Sequence, residues 1–243
     1  MKKHIPNSIT LLNLLCGSMA VIFVVTDAMI TASFFVFLGI LFDFFDGFAA
    51  RKLKVQSALG LQLDSLADMV TCGLVPGLVM FKLLELSDLS WSHGDTHMLQ
   101  INLLPFAGLA ITLASAYRLA TFNLDEEQQS YFKGLPTPAN TLFIVSLPLI
   151  MEFQNNDYMN AIIVNKWFLL GITLLSCYML NSGIKLFALK FKDWGFKNNA
   201  TRYVFLFLCI LFLIVLRFAA IPLIIVTYVI MSVLDNVSSK KLL

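Results

Sequence analysis

The chain has 243 residues, of which 58% are apolar and only 13% charged, with a mean hydropathy of +0.81. Soluble domains carry about 25% charged residues, so this composition excludes an ordinary soluble protein, and the long unbroken apolar runs exclude a β-barrel with its short alternating strands. The formal charge of +2 identifies no partner by itself, and no nucleic acid is expected to bind.

In chain order the hydropathy predicts about eight membrane spans, at 9–26, 29–50, 58–84, 99–122, 137–153, 162–186, 202–217 and 219–236. They form one all-α, polytopic unit over residues 1–243. The first span follows "MKKHIPNSIT" without a small-residue cleavage site and reads as a retained helix. The last two are joined around "RFAAIP", with Pro222 opening the eighth, and read as a helical hairpin at 202–236 added to a six-helix core. Cys16, Cys72, Cys177 and Cys209 lie singly in apolar runs, so neither disulfides nor a zinc site are expected.

Of the 17 basic residues, all but Lys82, Lys166 and Arg217 fall on one side of this scheme. Cytoplasmic loops carry the excess of Lys and Arg. The expected orientation is therefore a multi-pass protein of the cell membrane with both termini in the cytoplasm. The loop at 51–57 would then be cytoplasmic and that at 85–98 external. Lys185, Lys190, Lys192, Lys197 and Arg202 would serve that topology and contact anionic membrane lipids. "HGDTH" at 93–97 has the i, i+4 histidines of a zinc site, but Gly94 favours a plain surface loop. "NLDEEQQSYFKGLP" reads as a solvated loop.

Against this apolar background stands "FDFFDGFAARKLKVQSALGLQLDSLADMV", residues 42–70. A carboxylate at the bilayer centre costs about 2.5–3.5 kcal/mol on insertion scales. Asp43 and Asp46 share one helical face, continued by Gly47 and Ala50. Ser57, Gly60, Asp64 and Asp68 share another on the next helix. Two antiparallel helices can thus face four carboxylates into one space, with Arg51 one turn beyond. The mutual repulsion calls for a hard divalent cation held by oxygen ligands. Glycines beside metal-bound acids, with an arginine near, suit a pyrophosphate. By acid content alone, a cation or proton pathway fits as well.

Written out, the stretch is Asp43-x2-Asp46-Gly47-x2-Ala50-Arg51-x8-Gly60-x3-Asp64-x3-Asp68. At all eight fixed positions it resembles the signature of the CDP-alcohol phosphatidyltransferases. The resemblance implies a six-helix core, displacement of CMP from a CDP-linked lipid by an alcohol, a homodimer, and Mg²⁺ or Mn²⁺ as cofactor. It also implies that Asp43, Asp46, Asp64 and Asp68 hold metal, with Asp68 also the general base. Asn7, Gly47, Ala50, Arg51, Ser57 and Gly60 would contact the CDP-lipid; Asn7 alternatively reads as a helix cap. Outside the signature, "IPNSITLLNLLCG", "DSLADMVTCGLVPG" and "YRLATFN…FKGLPTPAN" are similar to the integral-membrane members that use serine. Cys72, Thr121 and Asn140 depart from their pattern. That likeness implies CDP-diacylglycerol and L-serine as substrates; glycerol phosphate, inositol phosphate and choline are the alternative acceptors. Arg118, Asn123 and Lys133 would bind the acceptor, Arg118 as a bidentate partner for a carboxylate; alternatively Arg118 snorkels and sets topology.

Overall fold

The computed structural model describes residues 4–87, 102–124, 131–187 and 196–240. The "HGDTH" stretch, the acidic part of the 123–136 loop, and Lys190 with Lys192 lie outside them. Three long helices come first: α1 (His4–Val25), α2 (Met29–Leu53) and α3 (Ala58–Ser87). A 3₁₀ turn at Pro105–Leu109 leads into α4 (Ala110–Leu124). Then follow α5 (Thr137–Gln154), the short α6 (Asp157–Ile163), α7 (Lys166–Asn181), α8 (Phe196–Leu216) and α9 (Ala220–Lys240). The described extended segments are β1 (Tyr131–Lys133) and β2 (Lys185–Phe187), a small antiparallel pair that sets Lys133 opposite Lys185. The chain is an all-α polytopic membrane protein.

Among the described residues, His4–Val25, Met29–Leu53, Ala58–Ser87 and Thr201–Asp235 are long and apolar enough to cross a membrane. The pair α6 and α7 makes a fifth candidate, bent by 60°. The span expected at 162–186 contains α7, and the break lies at its start, between α6 and α7. Asn165 caps α7 by accepting from the backbone N–H of Trp167 and Phe168, which fixes a new helix start. Within Thr201–Asp235 the backbone turns left-handed at Arg217, with φ of 51°. Phe205 and Tyr228 lie with ring centroids 5.7 Å apart, whereas 23 residues of straight helix would span about 35 Å. So α8 and α9 fold back on each other as a hairpin.

Chain reversals explain the unusual backbone. Among the described residues, Asp27, Lys54, Asn155 and Arg217 are the non-glycine residues with positive φ, and each follows the end of a helix. Lys54 closes α2: the Val55 N–H reaches back to the Ala50 carbonyl at 3.1 Å, a helix stop that needs a left-handed residue. Each reversal swaps ends of the bundle. At one end Lys82 pairs with Asp27 at 2.8 Å, and the Ala219 N–H donates to Gln154. At the other, the Asn123 amide donates to Ser65 Oγ at 2.8 Å. This second end carries the acidic cluster.

Helices in lipid gain little from apolar contact with each other, because the lipid is equally apolar. Close packing at small residues and interhelical hydrogen bonds hold them instead. Both meet at one π-helical stretch of α3, Met69–Leu74, directly after Asp68. A π turn leaves backbone carbonyls without helical partners. Here the Cys72 carbonyl accepts from Thr141 Oγ1 at 2.9 Å and the Gly73 carbonyl from Thr112 Oγ1 at 3.1 Å. Thr71 in turn donates to the Asn13 carbonyl of α1. It sits so close to Gly17 that a Cβ there would overlap its hydroxyl.

Gly17→Ala is therefore expected to destabilise the protein by about 1–3 kcal/mol, the usual cost of overpacking. Gly171→Ala, whose Cβ meets nothing within 4 Å, should leave thermal unfolding in detergent unchanged; equal melting of the two variants would refute the packing described. The alternation of ends has its own test. Single cysteines replacing Gln56 and Asn155, both exposed, should react with an impermeant thiol reagent from opposite sides of the membrane.

A candidate carboxylate metal centre between two cavities

The signature places its acids on two facing helices. Asp43 and Asp46 project from the last turns of α2, and Asp64 and Asp68 from the first turns of α3. Ser57 starts α3 as its N-cap, its Oγ accepting from the Gly60 N–H at 3.0 Å. One oxygen each from Asp43, Asp46 and Asp64 lies within 4.8 Å of the others. Asp68 stands outside this trio, one turn deeper and 9% exposed.

The surroundings orient these acids without neutralising them. Thr10 of α1 donates to Asp46 Oδ2 at 2.5 Å, and Asn13 of α1 donates to Asp68 Oδ1 at 3.2 Å. Among the described residues no Lys or Arg lies within ion-pair distance of any of the four. Asp64 Oδ1 is buried with no hydrogen-bond partner. Three converging carboxylates, oxygen donors only, one of them with a buried unpartnered atom, fit a hard divalent cation that brings its own charge.

Two cavities meet at this cluster. The larger, about 520 Å³, lies between α1, α2 and the start of α3. Asn7, Gly47, Ala50, Arg51, Ser57 and Gly60 all line it, together with Asp46 and Asp64. The Arg51 guanidinium lies over Gly47, where a Cβ would come within 3.4 Å of it. Asn7 does not cap α1, which already begins at His4. Its side-chain oxygen instead faces Gly60, 3.3 Å from where a Cβ would be.

The second cavity, about 280 Å³, is bounded by Asp43, Asp68, Arg118, Asn123 and the turn at Pro136–Pro138. Leu61 and Asp64 belong to both walls. Arg118 is 7% exposed, and its Nη1 donates to the carbonyls of Lys133, at 2.8 Å, and Leu180, at 3.0 Å. These bonds hold it in the bundle, so it does not snorkel. Lys133 does not reach the acid cavity. It lines a neighbouring cleft on the other side of Arg118, because β1 pairs with β2 and turns away there. Thr10 and Asn13 are the functional neighbours that sequence reasoning missed. Their only signal is a polar position every three residues on the face of an otherwise apolar helix.

A family model described as CDP-alcohol phosphatidyltransferase matches residues 3–178. Among curated proteins, a CDP-diacylglycerol–serine O-phosphatidyltransferase of Bacillus subtilis (strain 168) is 32% identical over 163 residues, 65% of this chain and 81% of the relative. Proteins of the same name from Methanocaldococcus jannaschii and Helicobacter pylori are each 27% identical. The first covers 71% of this chain and 71% of the relative; the second covers 83% and 79%.

If the trio holds a cation, Asp43→Asn, Asp46→Asn and Asp64→Asn should each weaken Mn²⁺ binding, followed by the paramagnetic resonance of free Mn²⁺, by on the order of 100-fold. Thr10→Val, which removes only an outer partner, should cost about 10-fold. Undiminished binding in Asp64→Asn would remove the trio as the site.

Proposed function

The chain belongs to the CDP-alcohol phosphatidyltransferase family and is a membrane-embedded phosphatidyltransferase; from that premise we propose that it transfers the phosphatidyl group of CDP-diacylglycerol to L-serine, releasing CMP, and that turnover depends on Mg²⁺ or Mn²⁺. The observation that carries this reading is the pair of cavities sharing Asp64. One has the glycines and the arginine suited to a nucleotide pyrophosphate. The other offers a buried guanidinium beside a carboxylate suited to a small hydroxylated zwitterion. The named relatives support serine. A cation pathway would distribute acids through the membrane; here all four sit on α2 and α3 at one end.

The chemistry divides among the residues as follows. Arg51 and the Gly47 and Gly60 faces bind and align the pyrophosphate. Asp43, Asp46 and Asp64 hold the divalent ion, which, when bound, offsets the negative charge of the pyrophosphate and of the departing CMP. Arg118 fixes the serine carboxylate, and Asn123 lies beside it on the same wall. Asp68, oriented by Asn13, accepts the proton of the serine hydroxyl as that oxygen attacks the phosphorus bearing diacylglycerol. The bond to the CMP oxygen breaks as the new one forms. Phosphoryl transfer relies on positioning and charge more than on covalent help from the protein. The basic-residue bias supports placing this end of the bundle at the cytoplasmic face of the cell membrane.

The deciding experiment is CMP release from CDP-diacylglycerol by purified protein with each alcohol in turn. Serine should support turnover, and chelation should abolish it until Mg²⁺ or Mn²⁺ is restored. Turnover with glycerol phosphate or inositol phosphate but not serine would overturn the acceptor. Two variants assign the roles. Asp68→Asn should lower kcat by about 10²–10⁴-fold, the usual worth of a general base, while nucleotide binding persists; joint loss of Mn²⁺ and nucleotide binding would make it a ligand instead. Arg118→Lys should raise the KM for serine about 10-fold, the worth of a charge-assisted hydrogen bond, and leave that for CDP-diacylglycerol unchanged.

A further inference from the structure

Away from both cavities, a groove of about 150 Å³ runs between α5, α7 and α9. It shares no lining residue with either cavity at the acids. Its walls are apolar except for Asn140 and Ser176. Asn140 stands where the sequence departs from the serine-using relatives' pattern. It is 2% exposed, and its Nδ2 is buried with no hydrogen-bond partner. An amide N–H without an acceptor in the hydrocarbon region costs several kcal/mol, and among the residues lining the groove Asn140 is the one that carries such an atom.

The groove has a direction. Asn140 lies one turn inside α5, its own N–H bonded to the Pro136 carbonyl. The Leu135 N–H donates to the Met179 carbonyl, which sets the rim at the end of the bundle that carries the acids. From Met179 the wall descends α7 to Ile172, seven residues or about 10 Å. Each leaflet's hydrocarbon is about 15 Å deep. Asn140, one turn inside α5, and Ser176, one turn inside from Met179, are the polar positions of an otherwise apolar channel that runs from the rim toward the bilayer centre. Leu175, Val226 and Ile230 are 54%, 44% and 53% exposed, so the groove opens sideways to lipid.

We propose that this groove binds one acyl chain of a bilayer phospholipid, its ester carbonyl accepting a hydrogen bond from Asn140 Nδ2. The lipid is separate from the nucleotide-linked donor, whose cavity lies among α1, α2 and α3. A helix of a second copy is a poorer occupant. Its backbone carbonyls are already engaged in their own helix. An ester carbonyl, by contrast, is a free acceptor carried at the head of each acyl chain.

The test uses full-length protein in vesicles of phosphatidylethanolamine and phosphatidylglycerol containing a phosphatidylethanolamine with a diazirine in mid-chain. After illumination, adducts are mapped by peptide mass spectrometry. Labelling should concentrate on Ile172, Leu175 and Val226 relative to Leu174, which is on the same helix as the first two and 72% exposed. Asn140→Leu should lower groove labelling about fivefold, the occupancy worth of one hydrogen bond, with Leu174 unchanged. Val226→Trp, a change at a half-open position that fills the groove from outside, should remove groove adducts with Asn140 intact, and decides the matter if Asn140→Leu fails to fold. Equal labelling of the groove and Leu174, undiminished labelling in these variants, or cross-links to a second copy would overturn the proposal.

Discussion

Four carboxylates in an apolar bundle, with no basic side chain within ion-pair distance among the described residues, impose the constraint on which the rest of this architecture rests. Their repulsion is eased by hydrogen bonds and by depth, and their convergence suits a cation. Depth is handled by confining all four to the ends of α2 and α3 nearest one surface, where hydration is less remote than at the midplane. Hydrogen bonds come from α1, which places Thr10 and Asn13 three residues apart on one face, against Asp46 and Asp68 respectively. The trio that converges is the group whose geometry could hold a cation.

That arrangement needs α3 to stay in fixed register with its neighbours, and polar contacts to backbone tie it to α1, α4 and α5. Thr71, Thr112 and Thr141 each bring a hydroxyl to a main-chain carbonyl on a neighbouring helix, around the π segment beside Asp68. Such bonds depend little on side-chain identity across the interface, and they do not compete with the carboxylates for ligands. Arg118 is positioned in the same manner, by the carbonyls of Lys133 and Leu180, so that its hold does not consume a carboxylate either.

What could be read from the sequence was whatever spacing encodes. Period 3.6 puts Asp43 with Asp46 and Asp64 with Asp68 on shared faces, and hydropathy locates α2, α3 and α5 to within a few residues, whereas of the span expected at 99–122 the α-helix begins only at Ala110. The remainder depends on backbone detail that spacing does not carry. The π turn leaves hydropathy unchanged. Asn165 looks like any polar residue near the start of the expected sixth span, yet its capping bonds start α7 at Lys166 and set α6 apart from it. Lys133 suggests a charged ligand, but its carbonyl is what touches Arg118. Asn7 has the composition of a cap, yet the helix begins three residues earlier, which frees its side chain for the cavity. Thr10 and Asn13 are legible only once their partners across the bundle are known.

The π segment has one more consequence. A helix advances 100° per residue, so a wider turn inserted after Asp68 acts as a phase shift between the two halves of α3. Above it, the helix presents acids to α2; below it, the same helix presents Val75, Val79, Leu83 and other fully buried apolar side chains to the core. The two halves answer to different angular references, and Met69–Leu74 reconciles them. Deleting one residue anywhere in that stretch would rotate the acids against the core by about a quarter turn, although the composition, the hydropathy and every signature residue would be preserved. The length of this stretch is thus under as tight a constraint as the identity of the aspartates.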